Sequence, residues 1–215
     1  MLRYSGMTVT LDELIVADAP EAWRACGFEV AGEECVVGEV RIRFAPDGGG
    51  RGIVGWSLRG IEATELEGLP TTVSERAAVA EAPEHPNGVT GLDHVVAISS
   101  DLDRTVTALE AAGLDLRRIR EEPTPAGAPR QAFFRLGAPI LEVVQEPPEA
   151  TERAGGDRPA FFWGLAFVAP DLERTVAFLG EERVSEARAA VQPGRRIATL
   201  RRAAGLSLPI ALMSP

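Results

Sequence analysis

The sequence predicts an α+β fold built from repeated βαβββ modules that form curved mixed sheets, with a degenerate third module at the N-terminus. The main observation is a repeat: Asp101–Val106 (DLDRTV) recurs as Asp171–Val176 (DLERTV), seventy residues later. A short apolar run typical of a strand precedes each copy, and three further strand-like runs follow it. Internal repeats of this kind indicate stacked structural units that bury a common core.

Each copy of the repeat predicts one amphipathic helix. Asp101 and Asp171 stand at the N-cap, and the acidic residue two positions later complements the positive end of the helix dipole. Apolar residues then recur at helical spacing, and Gly113 and Gly180 are placed to end the helices. The strands expected after the helices span residues 114–121, 130–136 and 139–145 in one copy, and 183–191, 195–202 and 207–213 in the other.

A weaker copy precedes these two. Its opening run, Leu11–Val16, matches Leu92–Ala97 in position and pattern. We expect a strand over 8–16, a short helix over 20–26 and three strands near 34–36, 40–44 and 53–58. The expected organisation is a degenerate module (1–62), a linker (63–90), a module (91–147), a shorter linker (148–159) and a last module (160–215).

Composition narrows the class of function. The net charge of −10 argues against general nucleic-acid binding and against docking on an anionic membrane, which both need a basic face. The 22 basic residues are all arginine, so lysine-based catalysis is excluded. Cys26 and Cys35 match no zinc or redox spacing. Without a signal-like or membrane-spanning run, the expected location is the cytoplasm.

The opening strand Leu92–Val96 (LDHVV), the Asp-led helix and the closing strand Ile140–Val144 (ILEVV) resemble the vicinal oxygen chelate superfamily. That superfamily includes glyoxalase I, bleomycin-resistance proteins and extradiol dioxygenases. The resemblance covers residues 91–215 well and 7–60 loosely. It implies a glyoxalase-like open barrel in which paired modules surround a cleft for a small molecule.

The resemblance also implies where a metal and the catalytic groups would lie, because ligands in that superfamily come from the first and last strand of a module. His94 and Glu142 take those places and are the candidate catalytic and metal-ligating residues. Glu13 takes the first-strand place in the N-terminal copy, whereas Gly164 and about Ile210 in the last copy cannot bind a metal. Three protein ligands are usual in a catalytic site. Pairing of the first two modules would therefore give three ligands for one divalent Zn, Mn, Ni or Fe ion, whereas pairing of the last two, which the shorter linker and their stronger likeness favour, would leave only His94 and Glu142.

Three functions stay open on this basis. One is a metal-dependent lyase, isomerase or dioxygenase acting on a small organic substrate. Another is a metal-free binding protein like the drug-sequestering members of the superfamily. The third is a structural or regulatory dimer whose cleft has closed. Arg118, Arg120, Arg135 and Arg195 could reach an anionic ligand from the sheet. Pairing of edge strands between subunits would produce a homodimer.

Overall fold

The computed structural model describes residues 8–46, 50–123 and 127–215, which form two mixed β-sheets around one shared hydrophobic core. Residues 1–7 and 47–49 of the expected first module, and 124–126 of the second, lie outside the described residues. In the described part of the chain, no helix is both long enough and apolar enough to cross a membrane.

The first sheet is formed by the N-terminal part of the chain. Its elements are β1 (Thr10–Val16), α1 (Pro20–Ala25), β2 (Glu34–Val37), β3 (Val40–Phe44), β4 (Ile53–Arg59), β5 (Glu65–Leu66) and β6 (Leu69–Val73).

The second sheet is formed by the rest of the chain. Its elements are β7 (Gly91–Ser99), α2 (Leu102–Ala111), β8 (Asp115–Arg120), β9 (Gln131–Arg135), β10 (Ile140–Gln145), α3 (Pro148–Arg153), β11 (Phe161–Val168), α4 (Leu172–Leu179), β12 (Arg188–Ala189), β13 (Arg196–Thr199), a 3-10 turn (Arg202–Ala204) and β14 (Ile210–Met213).

The second sheet consists of two βαβββ units with the same strand order. Its strands run β12-β13-β14-β11-β7-β10-β9-β8, so the first strands of the two units, β7 and β11, meet antiparallel at the centre. In each unit the last strand lies parallel to the first. This arrangement confirms the predicted α+β, glyoxalase-like fold and shows that the second and third predicted modules pair with each other.

The helices of these two units start as their sequences predict. The Asp101 carboxylate accepts a hydrogen bond from the Arg104 amide at 3.0 Å, and Asp171 accepts one from the Arg174 amide at the same distance. These bonds satisfy amide groups that would otherwise be unpaired in the first turn. The second helix stops at Gly180, which adopts a φ of 77°.

The first sheet differs from the single degenerate module expected there. Its order, β2-β3-β1-β4-β6-β5, has the same directions as the six central strands of the second sheet, β9-β10-β7-β11-β14-β13. Strand β4 is therefore not the last strand of the first unit: it lies antiparallel to β1, in the place that β11 takes beside β7. Among the described residues, the N-terminal half has the topology of a second pair of units that lacks counterparts of the strands β8 and β12 and has no helix between β4 and β5.

The segment expected as a linker, 63–90, contributes the two short strands β5 and β6 to this sheet. Leu66 and Leu69 are buried, and the tight turn between them holds Glu67 and Gly68 at positive φ. Two buried residues are too few to show a period, which is why the pattern did not reveal the hairpin. The second expected linker, 148–159, contains α3.

The two sheets pack through aromatic side chains. Trp23 and Phe28 from the N-terminal half lie with ring centroids 6.0 and 5.2 Å from Phe167, and Trp56 lies 5.0 Å from Phe162. Because side chains alternate along a strand, the opposite face of the second sheet is free to line a cleft.

Candidate functional site

The cleft lies on the face of the second sheet that points away from the shared core. It holds a cavity of about 160 Å³ to which both units contribute. The lining residues are His94, Arg118, Arg120, Gln131, Phe133, Glu142, Ala190, Val191, Gln192, Ile197 and Met213. The unit beginning at β7 provides the charged groups, and the unit beginning at β11 provides a mainly apolar wall.

His94 and Glu142 are brought together by the parallel pairing of β7 and β10. Ile140 lies opposite His94 in the register, so Glu142 is displaced by two residues and projects on the same face. The imidazole Nε2 lies 3.4 Å from a Glu142 carboxyl oxygen. Both side chains are about five-sixths buried, at 16% exposure. The two groups can therefore share or exchange a proton.

The Asp93 side chain lies on the same side of the sheet as His94, although Asp93 is its direct neighbour and would point the other way in a regular strand. The pairing of β7 with β11 skips Asp93, because His94 pairs with Ala166 and Leu92 with Phe167. This bulge turns two consecutive side chains to one face. As a result, an Asp93 oxygen lies 2.7 Å from His94 Nδ1.

Asp93 is held by a residue of the other unit. Arg195 donates hydrogen bonds to Asp93 at 2.6 Å, to the Gln192 side chain at 2.9 Å and to the Ser214 carbonyl at 2.7 Å. Burial raises the pKa of Asp93, but the hydrogen bonds from His94 and Arg195 outweigh it and lower the pKa to about 2. Asp93 is thus a carboxylate, which only accepts hydrogen bonds, so His94 donates through Nδ1 and directs Nε2 toward Glu142.

Glu142 has the opposite electrostatic character. Burial raises the pKa of Glu142 above its usual value, and the neighbouring His94 offsets this only in part. The Gln131 amide, on the adjacent strand β9, donates a short hydrogen bond to the other Glu142 oxygen. The His94 imidazole is therefore flanked by the ionised carboxylate of Asp93 and by the Glu142 carboxyl group, whose raised pKa favours its protonated form.

The described residues do not fit a complete catalytic metal centre. Among them, no group of three or more His, Cys, Asp or Glu side chains could hold a metal ion, whereas catalytic sites usually have three protein ligands. In the last unit a Cβ at Gly164 would lie 2.6 Å from the Pro209 carbonyl oxygen, so this position admits no side chain. Ile210 belongs to the core.

Glu13 is not brought to His94 and Glu142. It lies in the first sheet, where its carboxylate pairs with Arg43 at 3.2 Å and Arg76 at 3.0 Å. The adjacent Asp12 is skipped in the pairing of β1 with β4, as Asp93 is in β7. Its side chain is fully buried and pairs with two further arginines. The N-terminal counterpart of the His94 site is thus filled by internal ion pairs.

Sequence reasoning did not single out Asp93 and Gln131, and it named Arg195 only as one of several cations. Gln131 could have been identified from its position in the predicted strand that precedes the strand of Glu142, because consecutive strands often pair. Arg118 and Arg120 line the cavity as expected, whereas Arg135 contacts the Gly137 carbonyl and is absent from the lining.

No protein-family model and no curated protein matches this chain. Among solved structures it is similar to methylmalonyl-CoA epimerases, which are members of the vicinal oxygen chelate superfamily. One, from Mycobacterium tuberculosis, is 22% identical, with a TM-score of 0.49 over 60% of this chain and 89% of that chain. Another, from Streptomyces coelicolor in complex with 2-nitronate-propionyl-CoA, is 22% identical, with a TM-score of 0.47 over 59% and 94%.

A hypothetical protein from Bacillus halodurans is also similar, at 16% identity and a TM-score of 0.46 over 58% of this chain and 93% of that chain.

Proposed function

We propose that this protein catalyses proton transfer on a small carbonyl compound bound in the cleft, with His94 and Glu142 as the acid–base pair. The observation that supports this is the opposite displacement of two carboxyl pKa values around one imidazole: the pKa of Asp93 is about 2, whereas that of Glu142 is raised. Pairs of titratable groups whose environments move their pKa values apart are typical of acid–base sites.

The proposed reaction is proton abstraction next to a carbonyl group. His94 Nε2 takes the proton from the carbon, and the electron pair of that C–H bond moves into the carbonyl to form an enolate. Glu142, in its protonated form, donates a hydrogen bond to the developing oxyanion. Asp93 stabilises the imidazolium that forms, as the carboxylate does in other Asp–His pairs. Return of a proton from His94 to the same face of the carbon regenerates the substrate with its hydrogen exchanged, whereas protonation of the opposite face by water gives the epimer.

The test is exchange of deuterium from solvent into candidate substrates. A panel of 2-oxo and 3-oxo acids and their thioesters is incubated with the protein in D₂O, and incorporation is followed by mass spectrometry. We expect His94→Gln and Glu142→Ala each to slow exchange by about 10²- to 10⁴-fold, because the first removes the base and the second removes the hydrogen-bond donor to the oxyanion. Glu149→Ala, which removes a carboxylate from an exposed position on α3, is the matched control and should leave the rate unchanged.

The dependence of the exchange rate on pH follows from the raised pKa of Glu142. Because Glu142 must carry its proton, the rate should fall as pH rises through its raised pKa. The same assay is repeated with EDTA and with added Zn²⁺. Exchange abolished by EDTA and restored by zinc would contradict the metal-free acid–base mechanism. Ligand binding without any exchange would instead support the sequestering protein.

A further inference from the structure

We infer that the outer part of the cleft is a binding site for an oxyanion carried by the ligand, held by Arg118 and Arg120. This inference rests on the proposed function for the position of the ligand's reactive end, but it concerns a different set of contacts. It specifies the ligand as a small molecule that bears a carboxylate or phosphate group.

A second, wider groove continues the inner cavity toward solvent. It has a volume of about 460 Å³ and shares four lining residues with the inner cavity. The shared residues are Arg118, Arg120, Val191 and Gln192. Since both arginines border both spaces, a group held by them in the groove leaves the rest of the ligand within reach of the inner acid–base pair.

Arg118 is a cation without a carboxylate partner among the described residues. Its guanidinium instead lies over the Phe133 ring, 4.8 Å from the centroid, which orients the planar group. The preceding residue, Arg117, pairs with Asp115 at 3.2 Å and lies outside the lining of either space. Arg118 therefore presents its guanidinium group to a ligand at the mouth of the inner cavity.

Within the described part of the chain, Arg120 has only a weak carboxylate partner. Its Nε lies 3.8 Å from a Glu122 oxygen, beyond hydrogen-bond length, and the Glu122 side chain is 80% exposed. Such an exposed contact contributes little, so a ligand oxyanion can replace it. Arg120 also lowers the pKa of Glu142, in opposition to burial. Neutralising Arg120 with a bound oxyanion would therefore favour the protonated form of Glu142, the form that the reaction uses.

The remaining lining of the groove is mostly uncharged. Ile119, Val191 and Pro193 are apolar, and the one acidic side chain of the lining, Glu122, is 80% exposed and can turn toward solvent when an oxyanion binds. The Gln192 oxygen already accepts a hydrogen bond from Arg195, so its amide NH₂ is directed elsewhere and can donate. Two guanidinium groups and one amide provide the planar donor arrangement that carboxylate and phosphate oxygens match.

The experiment uses inorganic phosphate and malonate as separate probes against ¹⁵N-labelled full-length protein. Binding is followed through the arginine Nε–Hε signals, and affinity is measured by titration. We expect the signals of Arg118 and Arg120 to shift with at least one probe. Arg118→Gln and Arg120→Gln should each weaken binding roughly tenfold, and the double variant should abolish it. Arg117→Gln, with the same loss of charge on the same strand, should bind like the wild type.

Binding of phosphate alone would assign the site to a phosphate ester, and binding of malonate alone to an organic acid. An equal loss in Arg117→Gln would show that only net charge attracts the probe and would overturn the proposal. So would the absence of any shift at Arg118 and Arg120 with both probes. Because the titration needs no turnover, it is repeated with His94→Gln: retained binding there separates this site from the fate of the acid–base mechanism.

Discussion

Replacing Arg195 with glutamine tests whether the two units of the cleft are electrostatically connected. Arg195 donates to an Asp93 oxygen at 2.6 Å, and the Asp93 side chain is only 17% exposed. The pKa of Asp93 is lowered from 3.8 to about 2, which corresponds to roughly 2 kcal/mol of preference for the carboxylate in the folded protein. Burial acts against this preference, so the combined effect of Arg195 and His94 is larger still.

We expect Arg195→Gln to raise the pKa of Asp93 by about one pH unit or more, since removal of a neighbouring cation typically has an effect of one to three. The assay is an NMR titration of the ¹³C-labelled Asp93 carboxyl group. The matched control is Arg196→Gln, which removes the adjacent arginine and its surface contact with Glu173. An unchanged Asp93 pKa in Arg195→Gln, or an equal change in both variants, would refute the assigned role.

Arg195→Gln should also lower the free energy of unfolding, by an amount that depends on pH. The pKa of Asp93 is lower in the folded than in the unfolded protein. The ionised Asp93 side chain therefore stabilises the fold fully above pH 3.8, and this stabilisation is lost as pH falls toward 2. In chemical denaturation at neutral pH, we expect Arg195→Gln to be less stable by about 1–2 kcal/mol. The part of this difference that comes from Asp93 should shrink as pH falls toward and below 2, while the part from the Gln192 and Ser214 hydrogen bonds should remain. Proton exchange into substrates should also slow, because His94 loses its fixed orientation.

Two further predictions concern packing and pH. Gly164→Ala should destabilise the protein by about 1–3 kcal/mol, since its Cβ would meet the Pro209 oxygen at 2.6 Å, whereas Gly91→Ala, with open space at that position, should be neutral in the same thermal melts. Burial lowers the pKa of His85 below 6.5, and among the described residues its Nε2 is buried without a hydrogen-bond partner. Stability should therefore fall as pH drops below 6.5, and His85→Gln should reduce this pH dependence; an equally steep pH dependence in the variant would contradict it.

The elements that local patterns determine were predictable from sequence. The N-caps at Asp101 and Asp171 depend on a few neighbouring residues, and both helices start there. The approach of His94 and Glu142 was predicted from the family resemblance, which implies that the first and last strands of a unit contribute to one site; in the structure these strands pair in parallel. The N-caps needed only the local sequence, and the approach of His94 to Glu142 needed only the family resemblance.

The features that depend on pairing between distant strands were not predictable. The bulge at Asp93 arises from its register with β11, and no propensity of Leu92, Asp93 or His94 signals it. Arg195 reaches Asp93 from 102 positions away, across two units. The position of β4 beside β1 depends on which edge of the sheet is free, which a single alternating run does not indicate.

The cleft is built from two units of the same topology, but the residues proposed to move protons, His94 and Glu142, come from one of them. The opposite wall, formed by Val191, Ile197 and Met213, has no role in the proposed proton transfer. Substitutions on that wall can alter the shape of the acceptable ligand while the Asp93–His94–Glu142 array stays intact. The residues that shape the ligand are thus distinct from those proposed to react with it. Engineering of the apolar wall should therefore change which ligands bind with little loss of the proposed proton transfer.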